Sequence, residues 1–125
     1  TIPEWEFVSA IATAADCLIL LDLNNIHVSS FNHGFDALDF LDGVPADRVQ
    51  QFHLAGHDQG ERLIIDTHDA TIADSVWRLY AEALRRYGPV SCLIERDDHI
   101  PPLADLMLEL EQAREISKDT LAVAA

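Results

Sequence analysis

From Pro3 onward, apolar residues recur at helical spacing: Trp5, Val8, Ile11, Ala12 and Ala15 share one face. The pattern predicts a helix from Pro3 to about Ala15. Pro3 suits a first turn, and Glu4 and Glu6 suit the positive end of the helix dipole. The period then changes. Cys17 to Leu23, CLILLDL, is short and continuously apolar, which predicts a parallel strand buried on both faces. Asn24 to Val44 is polar and mixed, with a short helix expected near Asp36–Leu41 and a turn at Asp42–Pro45. A second strand is predicted at Val49–Ala55, followed by a long loop from Gly56 to about Asp69. Loops of that length in compact domains often carry function.

A second helix is expected from about Ala70 to Tyr87, with Ile72, Val76, Leu79, Tyr80, Ala83 and Tyr87 inward, stopped by Gly88-Pro89. Val90–Glu95 reads as a third strand. The loop RDDHIPP leads to a last helix, about Pro102–Ile116, with Leu103, Leu106, Met107, Leu110 and Ala113 inward. This alternation predicts an α/β fold with a parallel sheet. Three strands are too few for a closed barrel, which needs about eight strands and about 250 residues. The expected domain is therefore a partial barrel over residues 1–116, with residues 117–125 a frayed tail. The chain opens at Thr1 with a helical pattern and no methionine, which suggests a segment of a longer protein.

Composition narrows the partners. An apolar fraction of 49% in 125 residues fits one globular core. No apolar run approaches the roughly 18–20 residues of a membrane span, and no signal-type leader is visible. A cytoplasmic protein is expected. Asp and Glu number 22 against 8 Lys and Arg, a net charge of −14. Such a surface repels phosphate backbones and anionic membranes, so nucleic acid and membrane are not expected partners. It suits cations, or simply solubility. Cys17 and Cys92 lie in apolar runs without metal spacing and read as buried, reduced thiols. No G-x-S-x-G, P-loop or dinucleotide fingerprint is present.

Position carries more than composition. Each predicted strand is apolar and then offers a ligand-type residue near its carboxyl end: Asp22, His53 and Glu95. In parallel α/β folds such residues point into the site. The loop adds Asp66 and His68, an i, i+2 pair that shares a face in extended chain. Imidazole with carboxylate suits iron, manganese or zinc, and the lack of thiolate spacing argues against a structural zinc knot. Asn24 and Asn25 are turn residues by default, though an Asn oxygen is a weak ligand. His57 is expected behind the ligands, orienting one of them or touching substrate. His27 and His33 stay open, since Asn32–Gly34 also reads as a turn; His99 reads as a loop residue.

LLDLNNIHVSSFNHGFD, FHLAGH, IDTH, VWRLY and LIERDDHIPP, in this order, resemble the carboxyl-terminal half of the DUF692 (UPF0276) family. These are multinuclear non-haem iron-dependent oxidative enzymes that include the methanobactin biosynthesis oxidase. The resemblance covers nearly all of Ile2 to Ile116. It implies a TIM barrel holding two or three irons at its strand ends. It also implies O₂-dependent oxidation of a cysteine-containing ribosomal precursor peptide, often with a partner protein that presents the peptide. Carried over by motif, the iron ligands are Asp22, Asn24, His53, Asp66, His68 and Glu95. His57, Asn25 and His33 are separately expected behind the ligands or toward substrate.

One departure is large. The family's amino-terminal half, with its first strands, two further histidine ligands and a bridging glutamate, has no counterpart here. Unpaired strand edges invite self-association, and the 125 residues alone are expected to be inactive. Metal occupancy is expected to fall on acidification, because ligating imidazoles and carboxylates must be deprotonated. Two rival readings remain. One is a divalent-metal isomerase or hydrolase barrel of the xylose-isomerase or endonuclease-IV kind. The other is a non-catalytic half-barrel that self-associates.

Overall fold

A computed structural model describes residues 1–123. Its elements run α1 (Glu4–Ala15), β1 (Ile19–Asp22), α2 (Leu23–His33), α3 (Ala37–Gly43), β2 (Val49–Leu54), β3 (Asp58–Gln59), β4 (Ile64–Ile65), α4 (Asp74–Tyr87), β5 (Ser91–Ile94) and α5 (Leu103–Val123). The fold is α/β. Strands β1, β2 and β5 form a parallel sheet in that order, with β2 central. Strands β3 and β4 pair antiparallel as a small hairpin inside the expected loop.

The register explains where the core lies. Leu21 stands beside Phe52, and Phe52 beside Cys92, so these three share one face of the sheet. Leu21, Phe52 and Leu54 are buried there, in one apolar cluster with Ala12, Val76, Tyr80 and Ala113 from the helices. The Phe52 ring meets Tyr80 edge-on at 5.9 Å and Tyr87 at 6.0 Å. Asp22, His53 and Leu93 form the next row and face the opposite side.

The expected burial of β1 on both faces is met on one face within the described residues: Leu20 is 52% exposed and Leu93, across the sheet, 44%. The helices that pack on the sheet cover the Phe52 side, so alternate residues are left facing outward.

Other boundaries differ from the sequence reading for local reasons. Leu23 is helical rather than the end of a strand, because the Asp22 side chain caps α2 by accepting the Asn25 N–H at 2.8 Å. α2 itself was not anticipated. It ends where Gly34 takes a left-handed φ of 73°, a conformation glycine adopts without strain. α4 starts at Asp74 rather than Ala70, and Ile72 is buried from the preceding irregular segment. α5 continues through 117–123 instead of fraying at Ile116, with Thr120 buried; residues 124 and 125 of the expected tail lie outside the described residues. Leu103 and Met107, expected inward, are exposed at the start of α5. Cys17 is exposed rather than buried, while burial pushes the half-buried Cys92 thiol up to about 11. No described helix is long and apolar enough to cross a membrane.

Candidate metal centre

Three strands and one loop deliver the ionisable side chains to the carboxyl edge of the open face. Asp22 ends β1, His53 stands beside it near the end of β2, and Glu95 follows β5 directly. The Glu95 N–H donates to Leu54 O at 3.1 Å, so the sheet ladder itself places this side chain. The loop returns His68 to the same edge: its N–H donates to Gly56 O at 3.1 Å, and its carbonyl accepts the Asp97 N–H at 2.9 Å. Asp66 and His68 do meet, at 2.9 Å, but through a turn and not through extended alternation. His68 sits at φ 52°, in the left-handed region.

The two imidazoles hold the informative atoms. His53 is 5% exposed, and its Nδ1–H donates to Asp22 Oδ2 at 2.5 Å. Its Nε2 lies 2.8 Å from Glu95 Oε2, yet the geometry is not that of a hydrogen bond and the buried nitrogen has no partner. The Nε2 of His68 is likewise buried without a hydrogen bond, 2.9 Å from Asp66 Oδ1. The other His68 nitrogen, Nδ1, faces Glu95 Oε2 at 3.2 Å and Asp97 Oδ2 at 3.4 Å.

A neutral imidazole lone pair held against a carboxylate oxygen is unfavourable, and either a proton on the ring or a bound cation relieves it. Ligand atoms of Asp22, His53 and His68 lie within 4.8 Å of one another, as do those of His68, Glu95 and Asp97. Neutral imidazole with carboxylate is a donor set that iron, manganese and zinc accept. The residues therefore fit a metal centre.

Without a metal, proton sharing organises the edge. The Asp22 hydrogen bond raises the pKa of His53 above the ordinary imidazole value against the opposing effect of burial, and the charges of Asp22 and Glu95 add to it. For Asp22, burial works upward, but the bonds from His53 and the Asn25 N–H and the fields of His53 and His68 prevail. Its pKa falls below the usual carboxylate value.

Behind the ionisable groups lies an amide layer. Asn24 is fully buried; its Nδ2 donates to Gly56 O at 3.2 Å and to Asp66 Oδ1, while its Oδ1 accepts from His57 Nδ1 at 2.8 Å. Asn25 Nδ2 donates to the other Asp66 oxygen at 3.2 Å. The rings of His27 and His57 stand 5.1 Å apart, and the Ser75 hydroxyl lies 3.0 Å from His27 Nε2. His33 is not brought to this edge. It is exposed in the last turn of α2, nine residues beyond Asn24, or about 13 Å along the helix axis. His99 is a loop residue, its ring 3.4 Å from Asp69.

Gly56 has a structural reason to lack a side chain. A Cβ there would fall 2.0 Å from the Ala70 carbonyl oxygen. Gly56→Ala is expected to cost about 1–3 kcal/mol of stability and to loosen the His68 attachment. Chemical denaturation measures it; an unchanged midpoint would show that the segment at Ala70 yields freely.

The family described as "RiPP precursor modification enzyme MbnB/TglH/ChrH" matches residues 1–118. The chain belongs to this family. Curated relatives agree. A "UPF0276 protein" of Rhizorhabdus wittichii is 54% identical over 122 residues, covering 98% of this chain and 44% of the relative. A "UPF0276 protein" of Caulobacter vibrioides is 56% identical over 111 residues, 89% of this chain and 40% of the relative. One from Anaeromyxobacter sp. is 51% identical over 120 residues, 96% of this chain and 42% of the relative. The chain thus spans about two fifths of the length of the curated relatives it matches. The DUF692 resemblance read from the motifs is therefore shown, and the family name brings a RiPP precursor peptide into view as the kind of substrate its members modify.

Sequence reasoning passed over Asp97, which faces His68, and over Arg96 and Glu109, which pair in the interior beneath it. The only signal for Asp97 was its i, i+2 spacing from Glu95.

Proposed function

We propose that this chain forms one wall of a multinuclear non-haem iron centre in an O₂-dependent enzyme that oxidatively modifies a cysteine-containing ribosomal precursor peptide. The supporting observation is the buried Nε2 of His53, which lacks a hydrogen-bond partner and faces a Glu95 oxygen at 2.8 Å, in a cluster with ligand atoms of Asp22 and His68.

Asp22, His53, Asp66, His68 and Glu95 would hold two or three iron ions in the complete protein. Asn24 would add its Oδ1, which has a second lone pair free while the first accepts from His57. When bound, iron supplies one-electron redox chemistry and activates O₂ toward the peptide thiol.

The chain's own residues do the positioning. Asp22 holds the Nδ1 proton of His53, so that Nε2 is the nitrogen offered to the metal. Asn24 and Asn25 grip the two Asp66 oxygens and fix that carboxylate beside His68. His57 fixes the rotation of the Asn24 amide. We take the open face, with exposed Leu20 and Leu93, to be the interior of a TIM barrel that further polypeptide completes. A partner protein that presents the peptide belongs to the same proposal.

Elemental analysis of the anaerobically purified full-length protein tests this reading. Iron at more than one equivalent is expected; absence of iron under iron-replete expression would sink the assignment. His53→Ala and Asp66→Ala should each lower the iron content, and unchanged stoichiometry would remove those residues from the site.

A further inference from the structure

We propose that Asp97 is a further metal-binding residue of this centre, a carboxylate that joins His68 and Glu95 about one cation. This rests on reading the site as a metal centre, and it adds a residue that strand-end position did not select. His68 Nδ1 lies 3.4 Å from Asp97 Oδ2 and 3.2 Å from Glu95 Oε2, and ligand atoms of all three fall within 4.8 Å of one another. One imidazole and two carboxylates form a donor set for a divalent first-row metal.

The arrangement is built into the fold. Glu95 and Asp97 flank Arg96, whose side chain turns inward and pairs with Glu109 at 2.9 and 3.1 Å, at only 6% and 13% side-chain exposure. In extended chain, the neighbours of an inward residue face outward together. The buried ion pair therefore commits both carboxylates to the site side. The Asp97 N–H binds the His68 carbonyl at 2.9 Å, which ties the two loops into one unit.

A further observation, independent of the acidic residues, points to a ligand. The buried His53 ring has an unpartnered Nε2 aimed at Glu95, the carboxylate that Asp97 accompanies.

The test uses the full-length protein, stripped of metal and titrated anaerobically with Fe(II), with bound iron read by elemental analysis. Asp97→Asn keeps size and removes the ligand charge. It is expected to lose one iron equivalent or to bind the affected ion about 10–100-fold more weakly. Asp98→Asn removes the same charge one position on, where the carboxylate accepts the His99 N–H at 2.7 Å, and should leave iron binding unchanged. The side chain of Asp97 is 58% exposed, so the melting temperature of the metal-free protein should not move.

If Asp97→Asn binds iron as the parent does while His53→Ala loses it, Asp97 is outside the centre and the metal reading stands. An equal loss in Asp98→Asn would reduce the effect to net charge and overturn the proposal. A parent protein that takes up no iron would overturn the metal reading, and this proposal with it.

Discussion

Replacing Glu109 with alanine is expected to cost this chain about 3–5 kcal/mol of unfolding free energy, the range for breaking a buried ion pair from one side. Glu109 accepts two bonds from Arg96 and, through Oε1, the N–H of Ile72 at 3.0 Å. Its removal leaves a guanidinium and a backbone donor without partners in the interior. The Arg96 Nε is already buried without one, so the guanidinium has little to fall back on. Replacing both residues by apolar groups of similar volume should recover most of the loss, because the cost lies in the orphaned charge and not in the absence of the pair. Denaturant unfolding of the single and double variants decides it. A Glu109→Ala loss below about 1 kcal/mol would place the pair among the surface bridges, which contribute little. The variant should also weaken metal binding, since the same pair turns Glu95 and Asp97 outward.

Phe52→Ala is the second large expectation, at about 3–5 kcal/mol. Phe52 is fully buried at the centre of the sheet, against the rings of Tyr80 and Tyr87. Truncation leaves a cavity that the two large neighbouring rings cannot readily fill; the Tyr87 hydroxyl is held by Leu41 O. Phe52→Leu, which keeps most of the volume, should cost less than half as much. Because Phe52 and His53 point to opposite faces of β2, Phe52→Ala that still folds should retain metal better than His53→Ala. The reverse order of iron contents would contradict the sheet register on which the site is built.

Much of the site was legible because its signal is local. A short apolar run ending in Asp22, His53 or Glu95 announces itself by its hydrophobicity and by the rule that parallel strands present function at their carboxyl ends. α2 was not legible. Asn24, Asn25, Val28, Ser29 and Ser30 are indifferent helix formers. The helix exists because Asp22 caps it, Gly34 ends it, and Leu23, Ile26 and Val28 are buried. The same helix converts Asn24 from an apparent turn residue into the buried amide that grips Asp66. The end of α5 was misjudged for a related reason. Residues 117–123 look like a tail, but Thr120 is buried there.

By itself the sequence determined the three main strands, the helices α1, α3, α4 and α5, the parallel α/β class and the donor types at each strand end. These follow from hydrophobic period and side-chain chemistry, which need no knowledge of distant neighbours. Only the tertiary structure decided which carboxylate faces which nitrogen. It left His33 at the far end of α2, brought Asp97 to His68, and placed Leu20 on an open face. Those outcomes depend on strand register, on loops tied by backbone hydrogen bonds, and on a buried Arg96–Glu109 pair. Each is a balance between residues far apart in the chain, and so cannot be read from local pattern.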